Sequence, residues 1–151
     1  MIKINIPGKP RSVNHLYRNG VDRKGRPRRY LTADGKAWKK KVATCCLDQY
    51  GGEVLKGPII VQVAYFFPDN RYRRDVTNYD KAILDALNGV LYEDDSQIVS
   101  CSFHKLVDEK EPGIYVWAWE LEKDFGLVGI QGIVQSFQIV IELQCEMVKY
   151  E

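Results

Sequence analysis

The sequence predicts an α+β fold: a mixed β-sheet of about four strands with two main helices, in the order β-α-β-α-β-β, plus an appended C-terminal element. Three observations carry that expectation. Pro58–Phe67 (PIIVQVAYFF) is a near-continuous apolar run of β-forming residues, as in a central strand covered on both faces. Two other stretches place apolar residues at helical spacing behind capping residues. Strand-like runs open the chain and lie on either side of Glu109–Gly113.

In chain order, Ile2, Ile4 and Ile6 alternate with Lys3 and Asn5, a half-buried strand that stops at Pro7. Residues 7–31 hold prolines, glycines and a basic cluster and read as a long loop, a length that in compact domains belongs to functional or disordered segments. Thr32 caps a helix over Ala33–Gln49, with Trp38, Val42, Cys45 and Gln49 on one face, and Gly51-Gly52 ends it. After the Pro58–Phe67 strand, Thr77-Asn-Tyr-Asp80 matches a capping box, and Ala82, Ile83, Ala86 and Leu87 form the stripe of a second helix that Asn88-Gly89 ends. Gln97–Leu106 and Ile114–Leu121 read as strands, with Glu109–Gly113 the turn between them. From Ile130 to Val148 apolar residues follow a 3–4 spacing that suits an amphipathic helix, although Phe137–Leu143 equally suits a strand; helix is the expectation. Residues 1–122 are thus expected to form one domain, and 123–151 an extension that packs on it or on a partner subunit.

The 151 residues, 45% hydrophobic and 28% charged, exclude a disordered chain and are enough to bury a core without staples. Four cysteines without CxxC spacing and no signal-like segment at Met1–Pro10 imply reduced thiols in a cytoplasmic protein. His15 and His104 are too few for a zinc site and read as surface or strand positions. No membrane association and no small-molecule organic cofactor are expected.

Charge is unevenly placed. Residues 1–50 carry a net charge of +10 and residues 51–151 a net charge of −8. Arg18, Arg23, Lys24, Arg26, Arg28 and Arg29 share one stretch with a single acid, Asp22, and Lys36, Lys39 and Lys40 follow on the first helix. Such a footprint attracts a polyanion such as nucleic acid; the plainer reading is a solvated helix face and a polar loop. Tyr17 and Tyr30 flank the basic stretch and suit either packing or stacking on unpaired bases.

The chemistry is expected in Pro68–Val99 (PDNRYRRDVTNYDKAILDALNGVLYEDDSQIV). Asp75 follows Arg73 and Arg74, and Asp94 and Asp95 precede the next strand. The second helix carries the chain roughly 16 Å away from Asp75, and residues 89–95, if nearly extended, can return up to about 23 Å. Two such carboxylates suit phosphodiester chemistry, because a hard cation between acid and phosphate removes their repulsion and generates hydroxide. Lys81 reaches the same space and offsets developing negative charge, and the arginines hold the backbone. Acids before a helix are also ordinary partners of its N-terminal dipole, and an acidic pair before a strand is an ordinary polar loop.

The segment Arg73-Arg74-Asp75-Val-Thr-Asn78-Tyr-Asp-Lys81-Ala-Ile-Leu-Asp85-Ala-Leu, followed by Asp94-Asp95-Ser-Gln97-Ile-Val, resembles the RusA family of Holliday junction resolvases, typical of phages and prophages. Pro10–Tyr17 (PRSVNHLY) and Tyr30–Trp38 (YLTADGKAW) are similar to the family's start, so the resemblance covers about residues 2–121. It implies a homodimeric, Mg²⁺-dependent endonuclease, with Mn²⁺ able to substitute, that makes paired nicks in branched double-stranded DNA. By the same resemblance Asp75 and Asp95 match the metal-binding acids, Lys81 the catalytic lysine, and Asp94 a supporting acid. The family pattern has a further acid where this chain has Thr77, and three explanations stand side by side. The Thr77 hydroxyl is a weak ligand or holds a metal-bound water; Asp94 takes over; or the site binds metal poorly and the protein is a non-catalytic branched-DNA binding module. An RNA-binding or RNA-processing protein using the same basic stretch is the remaining alternative.

Overall fold

A computed structural model describes residues 1–69 and 75–121. Its elements are β1 (Ile2–Pro7), α1 (Val13–Leu16), β2 (Tyr17–Val21), β3 (Pro27–Leu31), α2 (Ala33–Gln49), β4 (Ile59–Phe67), α3 (Thr77–Leu87), a 3₁₀ turn (Asp95–Gln97), β5 (Ile98–Val107) and β6 (Gly113–Glu120). The main sheet has the order β1-β6-β4-β5, and β2 and β3 form a separate two-stranded sheet. The fold is α+β with a four-stranded mixed sheet, as the sequence predicts. The expected C-terminal helix lies outside the described residues, as do Arg73 and Arg74.

Strand β4 is buried at all nine positions because it is central in the sheet and covered on both faces. It runs parallel to β5 and antiparallel to β6. Parallel pairing requires a crossover, which α3 supplies. Residues 108–112 therefore do not close a tight hairpin. They pass the end of β4, where the Asp108 amide donates to Phe67 O and the Asp108 carboxylate accepts from the amides of Lys110 and Glu111.

The helices pack on one face of the sheet. Ile59, Val61, Val63, Tyr65 and Phe67 of β4 join Trp38, Val42 and Cys46 of α2 and Ala82, Ile83, Ala86 and Leu87 of α3 in one core. Ala64, Phe66 and Trp117 point to the other face. Thr32 caps α2 as predicted, accepting from the Gly35 amide. The buried stripe of α2 is Gly35, Trp38, Val42 and Cys46, not one centred on Cys45, because Trp38 and Val42 set a four-residue step that continues to 46. Gly51, at φ +59°, leaves the helix through a conformation that glycine adopts without strain.

The long loop expected over 7–31 is instead a short helix followed by a hairpin, with Arg18, Arg28 and Arg29 in its paired strands and Arg23, Lys24 and Arg26 in its turn. Asp22 makes the turn. Its Oδ1 accepts from the amides of Lys24 and Arg26, its Oδ2 pairs with the Arg26 guanidinium at 2.8 Å, and Gly25 takes a positive φ. No helix among the described residues is long and apolar enough to cross a membrane.

Candidate active site

Asp75 stands immediately ahead of α3, with an exposed carboxylate. Its Oδ1 accepts from the Thr77 amide at 3.0 Å and the Thr77 hydroxyl at 2.7 Å, and its Oδ2 accepts from Asn78 Nδ2 at 3.0 Å. Val76 holds the N-cap position without a side-chain bond, so Asp75 performs the capping. The helix N-terminus places amide donors and a partial positive charge beside it. Thr77 thus positions Asp75 by donating its hydroxyl proton. Lys81 lies one turn on from Thr77 and is exposed.

The capping box expected at Thr77–Asp80 does not form. Asp75 satisfies the Thr77 amide first, and the Asp80 side chain turns inward instead. Asp80 Oδ1 is buried without a hydrogen-bond partner, and so is the hydroxyl of Tyr65, a residue with 0% exposure. The two groups face each other. Burial pushes the Asp80 carboxyl up to about 6, with the Tyr65 hydroxyl offsetting part of the rise and the Asp75 charge adding to it. Burial and then the Asp80 charge push the Tyr65 hydroxyl far above its ordinary range.

Asp94 and Asp95 precede β5. Asp94 caps the 3₁₀ turn: its carboxylate accepts from the Ser96 amide while Gln97 Oε1 accepts from the Asp94 amide, a reciprocal box. Hydrogen bonds from the Ser96 hydroxyl and amide hold the Asp94 carboxyl below its ordinary value. Asp95 is exposed, and its charge reaches the buried Tyr92 hydroxyl, which donates to Leu84 O of α3. Cys101 is an exposed position on β5; partial desolvation of its thiol and then the Asp80 charge push it up to about 12, so it stays protonated and is a poor ligand. Among the described residues no three His, Cys, Asp or Glu side chains converge on one point. The Asp75 charge reaches Asp80, and the Asp95 charge reaches Tyr92. Exposed carboxylate oxygens suit Mg²⁺, which needs only one or two of them and keeps several waters.

The basic residues divide by what holds them. Arg26 is spent on Asp22, and Arg29 lies 4.4 Å from the centre of the Tyr17 ring. Lys39 approaches the same ring and donates to Asp85 O. The Tyr30 ring covers Gly20, donates its hydroxyl proton to Val21 O and lies under Arg28. Both tyrosines are therefore engaged within the hairpin. Arg18, Arg23, Lys24, Arg28, Lys36 and Lys40 are exposed and make no ion pair among the described residues.

A profile of the family described as Endodeoxyribonuclease RusA matches residues 7–117. The chain belongs to the RusA family. The match takes in the hairpin, α2, Asp75, Lys81 and the acids ahead of β5. Crossover junction endodeoxyribonuclease RusA of Escherichia coli K12 is 33% identical over 97 residues, covering 64% of this chain and 75% of that protein. The protein of the same name from Enterobacteria phage 82 is likewise 33% identical over 97 residues, with the same coverage. The Bacillus subtilis protein named Uncharacterized protein YqaN is 28% identical over 140 residues, covering 80% of this chain and 96% of the relative. This RusA-family chain combines an exposed, hydrogen-bonded Asp75 with a half-buried acid, Asp80, that sequence reasoning assigned to capping. The signal that identifies Asp80 is the presence of Asp75 two residues before Thr77, already a sufficient cap.

Proposed function

We propose that the protein is a structure-selective endonuclease that cuts four-way DNA junctions by Mg²⁺-dependent phosphodiester hydrolysis, acting as a homodimer. The observation that carries this reading is the Asp75 carboxylate: exposed, fixed by hydrogen bonds from Thr77 and Asn78, and set at the mouth of α3 within the region matched to an endodeoxyribonuclease family. Relatives named crossover junction endodeoxyribonuclease support the choice of substrate.

Asp75 and Asp95 are the acids that would hold Mg²⁺, or Mn²⁺ in its place, with Asp94 in support and Thr77 fixing Asp75. Held there, the cation would supply activation of water and charge neutralisation at the phosphate. The chain's own residues do the rest. Lys81, in the second turn of α3, offsets negative charge on the phosphoryl oxygens. Arg18, Arg23, Lys24 and Arg28 on the hairpin, with Lys36 and Lys40 on α2, hold flanking phosphates as exposed cations. Arg73 and Arg74, which precede Asp75 in sequence, are further candidates for phosphate contact. Arg26, Arg29 and Lys39 shape it through Asp22, Tyr17 and Asp85. Two subunits follow from symmetry: a four-way junction has two-fold symmetry, and one chain carries one such site.

The test is a labelled four-way junction and a linear duplex of matching sequence, each incubated with the protein, with and without Mg²⁺, alongside Asp75→Asn. Symmetric nicks are expected on the junction alone, only with Mg²⁺, and absent in the variant. Asp75→Asn should bind the junction at least as tightly, because a negative charge beside the backbone is gone. Binding without cutting in either Mg²⁺ or Mn²⁺ would overturn the nuclease reading in favour of a binding module.

A further inference from the structure

Asp80 is a carboxylate that neither capping nor packing accounts for. It lies three residues after Thr77 and next to Lys81, so all three share one side of α3. Its Oδ1 and the Tyr65 hydroxyl are buried, face each other and have no hydrogen-bond partner among the described residues. Tyr65 is itself fully buried, so its hydroxyl is aimed at Asp80 from inside the core. An apolar pair, or a bonded one, is the ordinary outcome for buried positions, since unpaired polar atoms there are costly. Oδ2 is not among the buried atoms without a partner, and the residue as a whole is only half-buried. The Asp75 charge lies near enough to raise the Asp80 carboxyl. Thr77, by contrast, has its hydroxyl proton committed to Asp75 Oδ1.

We propose that Asp80 is a further ligand residue of the nuclease site: through Oδ2 it joins Asp75 in holding a hard divalent cation, while the Tyr65 hydroxyl donates to Oδ1 from behind. The proposal rests on the metal-dependent reading of Asp75 and adds a residue to it. A cation placed at Oδ2 keeps the carboxylate ionised against the two effects that oppose its charge, burial and Asp75. An ionised Asp80 is also the form to which Tyr65 donates, so binding pairs both orphaned atoms. Thr77 supplies no charge to this site; the acid comes from the next turn, one helical step inward.

Mn²⁺ binding to the full chain without DNA, measured by calorimetry, tests this directly. Asp80→Asn is expected to weaken Mn²⁺ at least about tenfold, the lower bound for losing even an outer partner of a metal ligand. Tyr65→Phe should weaken it less. Thr77→Asp combined with Asp80→Asn should recover much of the affinity, because it returns an acid to the same side of the helix. Asp80→Asn should melt at or above the unsubstituted protein at pH 7 and bind the junction in EDTA no more weakly. Unchanged Mn²⁺ affinity in Asp80→Asn, with loss in Asp75→Asn, would overturn the role of Asp80 and leave the nuclease reading standing. No Mn²⁺ binding by the unsubstituted chain, or no effect of Asp75→Asn, would overturn both.

Discussion

If the hairpin holds DNA, its contribution is countable. Of the six cations in Tyr17–Leu31, Arg26 is neutralised by Asp22 at 2.8 Å and Arg29 is laid on Tyr17 at 4.4 Å. Arg18, Arg23, Lys24 and Arg28 remain exposed, with Arg23 and Lys24 in the turn and Arg18 and Arg28 on the Tyr30 face of the ribbon. Each phosphate contact adds about 0.9 to the slope of log affinity against log salt on duplex DNA. Substituting all four by Gln should therefore flatten that slope by about 3.6, and between 50 and 200 mM salt the unsubstituted protein should lose about 150-fold more affinity than the variant. Arg26→Gln alone should change the slope by much less than one contact, since its charge is already balanced. The assay is fluorescence anisotropy on a labelled four-way junction in EDTA, with circular dichroism to confirm that the fold is retained. An unchanged slope in the fourfold variant would refute the assignment of the hairpin to the phosphate backbone. A slope change equally large in Arg26→Gln would refute the division of the cations into free and committed.

Two further outcomes follow from packing and titration. A Cβ at Gly35 would sit 2.5 Å from Leu16 O, a carbonyl pinned by the Thr32 amide and hydroxyl, and 2.6 Å from a Leu31 methyl. Gly35→Ala gains helix propensity worth about 1 kcal/mol but overpacks at about 1–3 kcal/mol, so it should be neutral to destabilising by up to about 2 kcal/mol in urea unfolding; a clear gain in stability would contradict the contact. Because Gly35 seats α2 against the base of the hairpin, the same variant should bind junctions more weakly. His104, beside Gln62 on the sheet face away from the helices, is held below its ordinary pKa by burial. The folded state therefore binds the proton less readily than the unfolded chain, and stability is lost as pH falls below about 6.5. His104→Gln should show a smaller fall in melting temperature between pH 7.5 and 5.5, and an equal fall would remove His104 from the account.

How much of this was legible in the sequence depended on whether burial left a pattern. Strand β4 is buried at every position, so its apolar run was unmistakable, and Thr32 and the stripe Ala82–Leu87 marked α2 and α3 because core packing selects them. The hairpin left no such pattern. Its residues are exposed on nearly every position, and cations replace the alternation that marks a strand with one buried face. Its only local sign was the turn, Asp22 followed by Gly25. The connection between β5 and β6 was read correctly as a turn, but a sequence does not print that β4 lies between them; that follows from parallel pairing across α3. Within the site, the segment from Asp75 to Lys81 and the acids before β5 were visible as residue types, whereas their division of labour was not. Two caps competed for one helix start, and which carboxylate won is a question of geometry.

That competition explains how this chain accommodates Thr77. An acid at 77 would stand two residues from Asp75 at an exposed helix start, where two like charges repel and neither is fixed by the other. A threonine there converts repulsion into a donated hydrogen bond, and Asp75 gains two of its bonds, at 3.0 and 2.7 Å, from that one residue. Releasing Asp80 from the capping role then frees it to turn toward Tyr65, where a carboxylate without a counter-charge is unfavourable. The unfavourable part of that arrangement is confined to one buried oxygen and one buried hydroxyl, and a divalent cation bound as proposed would relieve it. Thr77 and Asp80 therefore belong to one arrangement: the first orders the exposed acid, and the second carries the charge that the first gives up.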